Sequence, residues 1–150
     1  MSIIITEESI YSKDALRMME DLSKELFLIT GNDGCSSFET SDWDHPRSIF
    51  VMAREYGTPV GCGSFRGLTE NTAELKRIYA AKKSVAIGRQ ILNYLEEKAR
   101  EYQYDRLVLS TRSCNSYALL FYQKYNYQII SSYGNYKNRP ESICLEKILK

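Results

Sequence analysis

The stretch KRIYAAKKSVAIGRQIL, residues 76–92, contains the change of pattern that decides the fold. A run with β character ends at Ala80, and an amphipathic helical pattern begins at Gly88 after a short basic connection. The N-terminus of a helix presents unpaired N–H groups and a partial positive charge, which together favour a phosphate. Lys82, Lys83 and Arg89 can add counter-charge, so the stretch predicts a phosphate-binding turn or, alternatively, an ordinary helix start with scattered basic residues.

Two common nucleotide motifs are excluded. The sequence contains neither GxxxxGK[ST], the P-loop pattern, nor GxGxxG, the dinucleotide fingerprint. A phosphate at this turn would therefore be held in some other way.

A second stretch, LVLSTRSCNSYALLFYQKYNYQII at residues 107–130, predicts a short buried strand followed by a helix. Asn115 stands at the start of this helix, where it suits an N-cap. Tyr122 lies on the apolar face, where the simplest interpretation is a core aromatic whose hydroxyl reaches a polar partner. Either residue could instead belong to a site.

Hydrophobic periodicity extends the interpretation to the whole chain and predicts one mixed α/β domain over residues 1–150. Ser12 suits the N-cap of the first helix and Gly31 its end, and the polar stretch 31–47 is predicted to be a long loop. The predicted elements are strand 3–5, helix 12–31, strands 48–54, 59–65 and 72–80, helix 88–102, strand 107–109, helix 116–125, and strands 127–130 and 142–149.

The second helix has a clear polar face, on which we expect Arg89, Glu96, Glu97 and Arg100. Its apolar face carries Ile87, Ile91, Leu92, Leu95 and Ala99. Two glycines, Gly61 and Gly63, alternate within a predicted strand, where they allow another part of the backbone to approach closely.

Composition excludes several classes of protein. The 150 residues carry a formal charge of +1, which disfavours a nucleic-acid partner even though twelve tyrosines could stack on bases. There is no apolar run of about 20 residues, so no membrane partner is expected. Four dispersed cysteines and a single histidine predict reduced thiols, no metal and a cytoplasmic protein.

Together the two stretches resemble the GNAT superfamily of acyl-CoA-dependent N-acyltransferases over residues 48–149. The run 73–79 is similar to the central strand of that family, and residues 86–88 to the end of its pyrophosphate loop. Residues 115–127 match its N-x-x-A-x-x-F-Y-x-x-x-G-F pattern, with Asn126 in place of the glycine. Asn tolerates left-handed geometry better than most residues. The loop departs from the family in that Ala86 stands where a glycine is usual.

The resemblance implies a GNAT-like fold, an α/β architecture with a central, mostly antiparallel sheet that splays at the cofactor site and has helices on both faces. It also implies acetyl-CoA as co-substrate, with its pantetheine paired to exposed main chain. The cofactor-binding residues implied are Ile78, Tyr79, Ala80, Lys83, Ser84, Val85, Ala86, Ile87, Gly88, Arg89, Asn115 and Tyr122.

The implied reaction is direct attack of a primary amine on the thioester in a ternary complex. Tyr122, with an ordinary pKa near 10, would act as general acid toward the departing thiolate. Glu74 lies where some family members hold a general base, although it could equally be a strand carboxylate paired with Lys76 or Arg77. The alternative function is a non-catalytic acyl-CoA-binding or regulatory domain of the same fold.

The acceptor is a small-molecule or peptide amine whose identity stays open. Asp33, Glu39, Asp42 and Asp44 in the long loop would suit a cationic amine. A second set could meet a carboxylate-bearing substrate instead, namely Arg66, Tyr133, Tyr136 and Arg139. A homodimer is also possible, because small domains with an exposed edge strand often pair.

Overall fold

The computed structural model describes residues 2–31, 43, 46–81 and 85–149. Its strands and α-helices follow the predicted order: β1 (Ile3–Glu7), α1 (Lys13–Thr30), β2 (Ile49–Glu55), β3 (Thr58–Gly67), β4 (Thr72–Ala80), α2 (Val85–Glu101), β5 (Arg106–Arg112), α3 (Ser116–Lys124), β6 (Gln128–Ile130) and β7 (Ser142–Ile148). A 3₁₀ helix (Gly134–Asn138), which the sequence did not predict, lies between β6 and β7.

The strands form one sheet in the order β1-β2-β3-β4-β5-β7-β6. Each neighbouring pair is antiparallel except β4 and β5. Phe50 and Met52 of β2 pack in one cluster with α1, whereas the alternate residues Val51 and Ala53 pack in a second cluster with α2. Because alternate residues of a strand face opposite ways, α1 and α2 cover opposite faces of the sheet. The predicted fold class is confirmed.

Local sequence signals set the ends of several elements. The Ser12 hydroxyl accepts a hydrogen bond from the Ala15 N–H at 3.0 Å, and Gly31 ends α1 in the left-handed region at φ 76°. Asn126, which takes the place of the family glycine, also has a positive φ of 73°. These three predictions from residue type are confirmed.

The sheet opens between β4 and β5. These two strands pair in parallel only at Thr72, Ala73 and Glu74 of β4, which continues as far as Ala80. Over the same length β4 stays paired with β3 on its other edge. The edge of β4 that faces β5 therefore carries main-chain groups, from Leu75 onward, that no described strand pairs.

A β-bulge lies in β4 beside this opening. The register with β3 passes from Cys62↔Tyr79 to Ser64↔Lys76, so β4 has one extra residue, and Arg77 within it has a φ of 57°. The Ser64 hydroxyl donates to the Lys76 carbonyl at 2.6 Å and anchors the bulged strand. A bulge bends its strand and changes the direction of the side chains that follow.

Gly61 and Gly63 let α2 approach β3 closely, as the sequence predicted. A Cβ placed on Gly61 would lie 2.7 Å from the Tyr79 carbonyl oxygen and 2.8 Å from Cδ1 of Ile91. A Cβ on Gly63 would lie 2.7 Å from Cγ2 of Ile91. Larger side chains here would push α2 away from the sheet.

Two expectations for α2 are wrong. The helix starts at Val85 and not at Gly88. Gly88 lies within its first turn and does not interrupt it, and the missing Cβ of this glycine leaves room for the ring of Phe121. Glu96 is buried and not on the solvent face. Its carboxylate accepts hydrogen bonds from the Tyr127 hydroxyl at 2.8 Å and from Lys147 Nζ at 3.0 Å.

Within the part of the chain that the structure describes, no helix is both long and apolar enough to cross a membrane. The same residues bring together no group of three His, Cys, Asp or Glu side chains that could hold a metal ion.

Candidate active site

Two adjoining cavities lie at the opening between β4 and β5. We call the larger one, about 190 Å³, the polar cavity and the smaller one, about 150 Å³, the apolar cavity. They share one wall, which is built from α1, β4, the residue before α3, and α3 itself. The residues of this shared wall are Leu22, Leu26, Ile78, Asn115, Ala118 and Tyr122.

The apolar cavity follows the unpaired part of β4. Ile78, Tyr79 and Ala80 line it, and Gly88 of α2 closes one side. Burial, followed by the nearby charges of Glu25 and Asp21, raises the pKa of Tyr79, so its hydroxyl stays protonated at neutral pH. This narrow apolar space beside free main-chain groups suits an extended chain that itself carries amides.

The polar cavity has a cationic lining. Lys76, Arg77, Arg112 and Arg139 line it, and among its described lining residues there is no carboxylate. Some of these cations have protein partners, since Arg77 donates to the Ser23 hydroxyl at 3.1 Å and Arg112 pairs with Glu141 at 2.9 Å. The lining nevertheless carries positive charge on β4, β5 and the segment after the 3₁₀ helix.

Tyr122 lies on the shared wall, where both cavities meet its side chain. Its ring makes edge contacts with Phe121 and Tyr127, whose centroids are 5.3 and 5.5 Å away. Burial raises the pKa of the phenol above its ordinary value, and no hydrogen bond joins its hydroxyl to another residue that the structure describes. The phenol is therefore protonated at neutral pH, in a residue that lines both cavities.

Asn115 combines the two roles considered for it. Its side-chain oxygen accepts the Ala118 N–H at 3.3 Å, so it is the N-cap of α3. The same residue lines both cavities. The capping interaction fixes the start of α3 and, with it, the position of Tyr122 two turns later.

Glu74 is buried in β4 and held by three neighbours. Its Oε1 accepts from Arg66 Nε at 2.8 Å and lies 3.7 Å from Lys76 Nζ, and its Oε2 accepts from the Tyr133 hydroxyl at 2.6 Å. Burial, together with the adjacent Glu74 charge, raises the pKa of Tyr133 well above its ordinary value. The alternative in which Glu74 pairs with Lys76 is therefore confirmed. Glu74 lines neither cavity in the part of the chain that the structure describes, and this geometry gives it no direct contact with a substrate.

The four residues that the sequence analysis expected to meet a carboxylate-bearing substrate do not lie together. Two of them bind Glu74 instead. Arg66 and Tyr133 hold Glu74 and do not line the polar cavity, whereas Tyr136 and Arg139 do. The four acidic residues of the long loop, the rival set for a cationic amine, lie outside the described residues.

The predicted pyrophosphate loop is described only in part. Lys82, Lys83 and Ser84 lie outside the described residues, and Val85 begins α2. Ile87 is buried in the core, while Ala86 and Arg89 are exposed and belong to neither cavity lining. Whether these residues bind a pyrophosphate stays a prediction.

Sequence reasoning missed contributions from α1 and β5. Leu22, Leu26 and Thr30 of α1 line the polar cavity, as do Ser110, Thr111 and Arg112 of β5. One signal was present in α1, since its apolar stripe continues past the buried core to Ile29, which is 41% exposed. An apolar stripe that extends beyond the core indicates a surface with another use.

Comparison with known proteins agrees with this geometry. The model of the acetyltransferase (GNAT) family matches residues 16–127. An IAA acetyltransferase of Azospirillum brasilense is 26% identical over 151 residues, which cover 99% of each chain. The structure of a putative acyl-CoA N-acyltransferase from Klebsiella pneumoniae superposes with a TM-score of 0.82 at 24% identity, covering 99% of this chain and 98% of the other.

A GNAT family acetyltransferase from Elizabethkingia anophelis, solved with acetyl-CoA bound, has a TM-score of 0.73 at 22% identity and covers 97% of each chain. These structural likenesses concern the fold, and the family match concerns the sequence itself. The chain belongs to the GNAT acetyltransferase family.

Proposed function

We propose that this protein is an acetyl-CoA-dependent N-acetyltransferase that moves an acetyl group to a primary amine by direct attack in a ternary complex. The observation that carries the proposal is the position of Tyr122. Its phenol is protonated, and the residue lines both the apolar cavity, which follows main chain that no described strand pairs, and the adjoining polar cavity. Two substrates that enter from opposite sides would meet at the wall that the two cavities share.

The residues present fit acetyl-CoA. Pantetheine is an extended chain with two amides, and the unpaired edge of β4 over Ile78, Tyr79 and Ala80 offers N–H and C=O groups to such a chain. Gly88 brings the first turn of α2 to the same cavity, where the N–H groups of a helix start favour a phosphate. When bound, acetyl-CoA supplies a thioester whose acyl carbon accepts the amine.

Tyr122 acts as the general acid in this proposal. The C–N bond forms and the C–S bond breaks, and the phenol donates its proton to the departing sulfur. The amine loses its proton to water, from which the Tyr122 phenolate regains one. Because burial raises the pKa of Tyr122, the phenol carries its proton throughout the neutral range. Positioned proton donors of this kind contribute about 10²- to 10⁴-fold to a rate.

Glu74 remains the candidate for the general base. Its oxygens already accept hydrogen bonds from Arg66 and Tyr133, so contact with an ammonium requires a bridging water or an exchange of partners. The geometry thus favours an indirect role, in which Glu74 positions the cations beside the polar cavity.

The first test measures thermal stability with acetyl-CoA and, separately, with ATP and with NAD. A ligand at 100 times its Kd stabilises by about 2.7 kcal/mol, which raises Tm by roughly 5–10 °C in a domain of this size. A shift with acetyl-CoA alone supports the cofactor site. Equal shifts with all three, or none, contradict it.

The second test measures CoA release with a panel of amines for Tyr122→Phe. The ring contacts survive this change, so we expect an unchanged acetyl-CoA shift and a kcat about 10²- to 10⁴-fold lower. Tyr125→Phe is the matched control, since Tyr125 contacts Phe121 from the same end of α3 but lines neither cavity. Binding of acetyl-CoA with no turnover of any amine would favour the non-catalytic alternative.

A further inference from the structure

We propose that Tyr127 and Glu96 are positioning residues for Tyr122, the general acid of the proposed function, on which this inference rests. Neither residue lines the polar or the apolar cavity, so neither contacts a substrate there. Tyr127 is 2% exposed and Glu96 is 5% exposed. A buried carboxylate is costly, and an apolar pair of similar volume would avoid that cost, so a use for this polar pair is expected.

The end of α3 joins Tyr127 directly to Tyr122. The Tyr127 N–H donates to the Tyr122 carbonyl at 3.0 Å, and the Asn126 N–H donates to the Gln123 carbonyl at 3.2 Å. With Asn126 at a φ of 73°, these two hydrogen bonds form a Schellman motif, in which the residue after the turn packs against the last turn of the helix. The rings of Tyr122 and Tyr127 accordingly make an edge contact, with centroids 5.5 Å apart.

Tyr122 depends on this contact because no hydrogen bond joins its hydroxyl to another residue that the structure describes. The rings in edge contact with it are those of Phe121 and Tyr127. Phe121 lines the apolar cavity, whereas Tyr127 is buried in the core. The ring of Tyr127 is therefore the support of the phenol on the core side.

Glu96 of α2 fixes the other end of Tyr127. The Tyr127 hydroxyl donates to Glu96 Oε2 at 2.8 Å, and Lys147 Nζ of β7 donates to Glu96 Oε1 at 3.0 Å. Hydrogen bonds to an ionised acceptor are about twice as strong as those between neutral groups. The Tyr127 ring is thus held at its hydroxyl by α2 and at its main chain by α3.

The pair acts on the direction of the phenol and not on its proton. Burial raises the pKa of Tyr122 without a contribution from Glu96, so this phenol stays protonated at neutral pH when the pair is broken. Burial, followed by the Glu96 charge, raises the pKa of Tyr127, which therefore remains a donor to Glu96. A misplaced donor lowers kcat and leaves the binding of acetyl-CoA intact.

The test is Tyr127→Phe, which keeps the ring and removes the hydroxyl that binds Glu96. We expect kcat in the CoA-release assay to fall about 10- to 100-fold, with the KM for acetyl-CoA and its thermal shift unchanged. Tyr104→Phe is the matched control. Tyr104 is 4% exposed, donates its hydroxyl to the Arg47 carbonyl at 2.9 Å, and lines neither cavity. The control should lose stability with its hydrogen bond and keep the wild-type kcat.

A double variant separates positioning from general damage to the fold. Once Tyr122 has lost its hydroxyl, the direction of its ring no longer affects proton transfer. Tyr122→Phe combined with Tyr127→Phe should therefore have the kcat of Tyr122→Phe alone, within about twofold. If Tyr127 only stabilised the fold, the two losses would multiply.

Two variants of Glu96 decide the question if Tyr127→Phe does not fold. The amide oxygen of Glu96→Gln can still accept the Tyr127 hydroxyl, whereas the thioether of Glu96→Met, of similar length, is a weak acceptor. We expect the kcat of Glu96→Met to lie about tenfold below that of Glu96→Gln.

The outcomes separate this inference from the proposed function. The positioning role alone would be refuted by a wild-type kcat in Tyr127→Phe, by losses that multiply in the double variant, or by equal kcat in the two Glu96 variants. An undiminished kcat in Tyr122→Phe would refute its role as general acid, and this inference with it. Failure of every amine, with acetyl-CoA bound, would refute the proposed function itself.

Discussion

Replacing Gly61 by alanine should damage stability and the cofactor site together. Gly61 pairs with Ala80 of β4 and lies beneath α2. The new Cβ would lie 2.8 Å from Cδ1 of Ile91, a methyl group that can move, and 2.7 Å from the Tyr79 carbonyl oxygen, which cannot move alone. Relief of the second contact displaces the part of β4 that lines the apolar cavity.

The expected magnitude follows from two opposing effects. Overpacking a well-packed site costs about 1–3 kcal/mol. Loss of glycine freedom in the unfolded chain returns about 0.4–1 kcal/mol. The difference is a destabilisation of about 0–2.6 kcal/mol with a midpoint near 1.3 kcal/mol, and that midpoint lowers Tm by roughly 3–5 °C in a chain of this length.

The assay is thermal unfolding of Gly61→Ala with and without acetyl-CoA, beside Gly63→Ala as the matched control. The three atoms nearest to the Cβ of Gly63→Ala would all be side-chain atoms, of Ile91, Ile78 and Leu95. We expect both variants to lose stability and Gly61→Ala to lose more of its acetyl-CoA shift. A Gly61→Ala protein with the wild-type Tm and an undiminished shift would refute the packing argument.

Three further predictions concern titratable groups. Glu74→Gln should lower the free energy of unfolding by about 1–3 kcal/mol, because Arg66 and Lys76 each lose the Glu74 carboxylate as an ion-pair partner. An unchanged pH profile of kcat in this variant would remove Glu74 from the mechanism. Burial raises the pKa of Tyr122 and of Tyr133, so the contribution of these two phenols to stability should be constant below the unfolded tyrosine pKa of about 10 and fall as the pH rises above it. The absorbance of tyrosinate measures the ionisation of the phenols in the folded protein, and titration of both Tyr122 and Tyr133 near pH 10 would contradict the raised pKa values. Burial raises the pKa of Cys62 to about 12, so this thiol should not react with maleimide at pH 7.5 until the protein unfolds. Peptide mapping should find the label on the exposed Cys114 and none on Cys62 in the folded protein.

Much of the fold could be predicted because its signals are local. The caps of α1 depend on residues within one turn of Ser12 and Gly31, and the conformation of Asn126 depends mainly on its own side chain. The order of elements follows from periodicity within single segments. Tyr122 and Asn115 were predicted as site residues from one short pattern, residues 115–127, and the structure places both on the wall that the two cavities share.

Features that depend on distant partners were not predictable in the same way. Glu96 has the spacing of a solvent-facing residue, but Tyr127 and Lys147 reach it from parts of the chain that pack there only after folding. The positive φ of Arg77 has no signal in its residue type, since the bulge is fixed by pairing with β3 and by the Ser64 hydrogen bond.

The opening of the sheet explains why the bulge and the cavities occur together. β5 stays paired with β7 as far as Arg112, and β4 stays paired with β3 as far as Ala80, so each strand is satisfied on its outer edge. The inner edges part after Glu74. Buried main-chain groups are costly to leave unpaired, so a regular β4 would be expected to continue its pairing with β5. The extra residue at Arg77 breaks the regular register of β4 within the part that β5 does not pair, so the strand itself opposes further pairing and the opening is built into it.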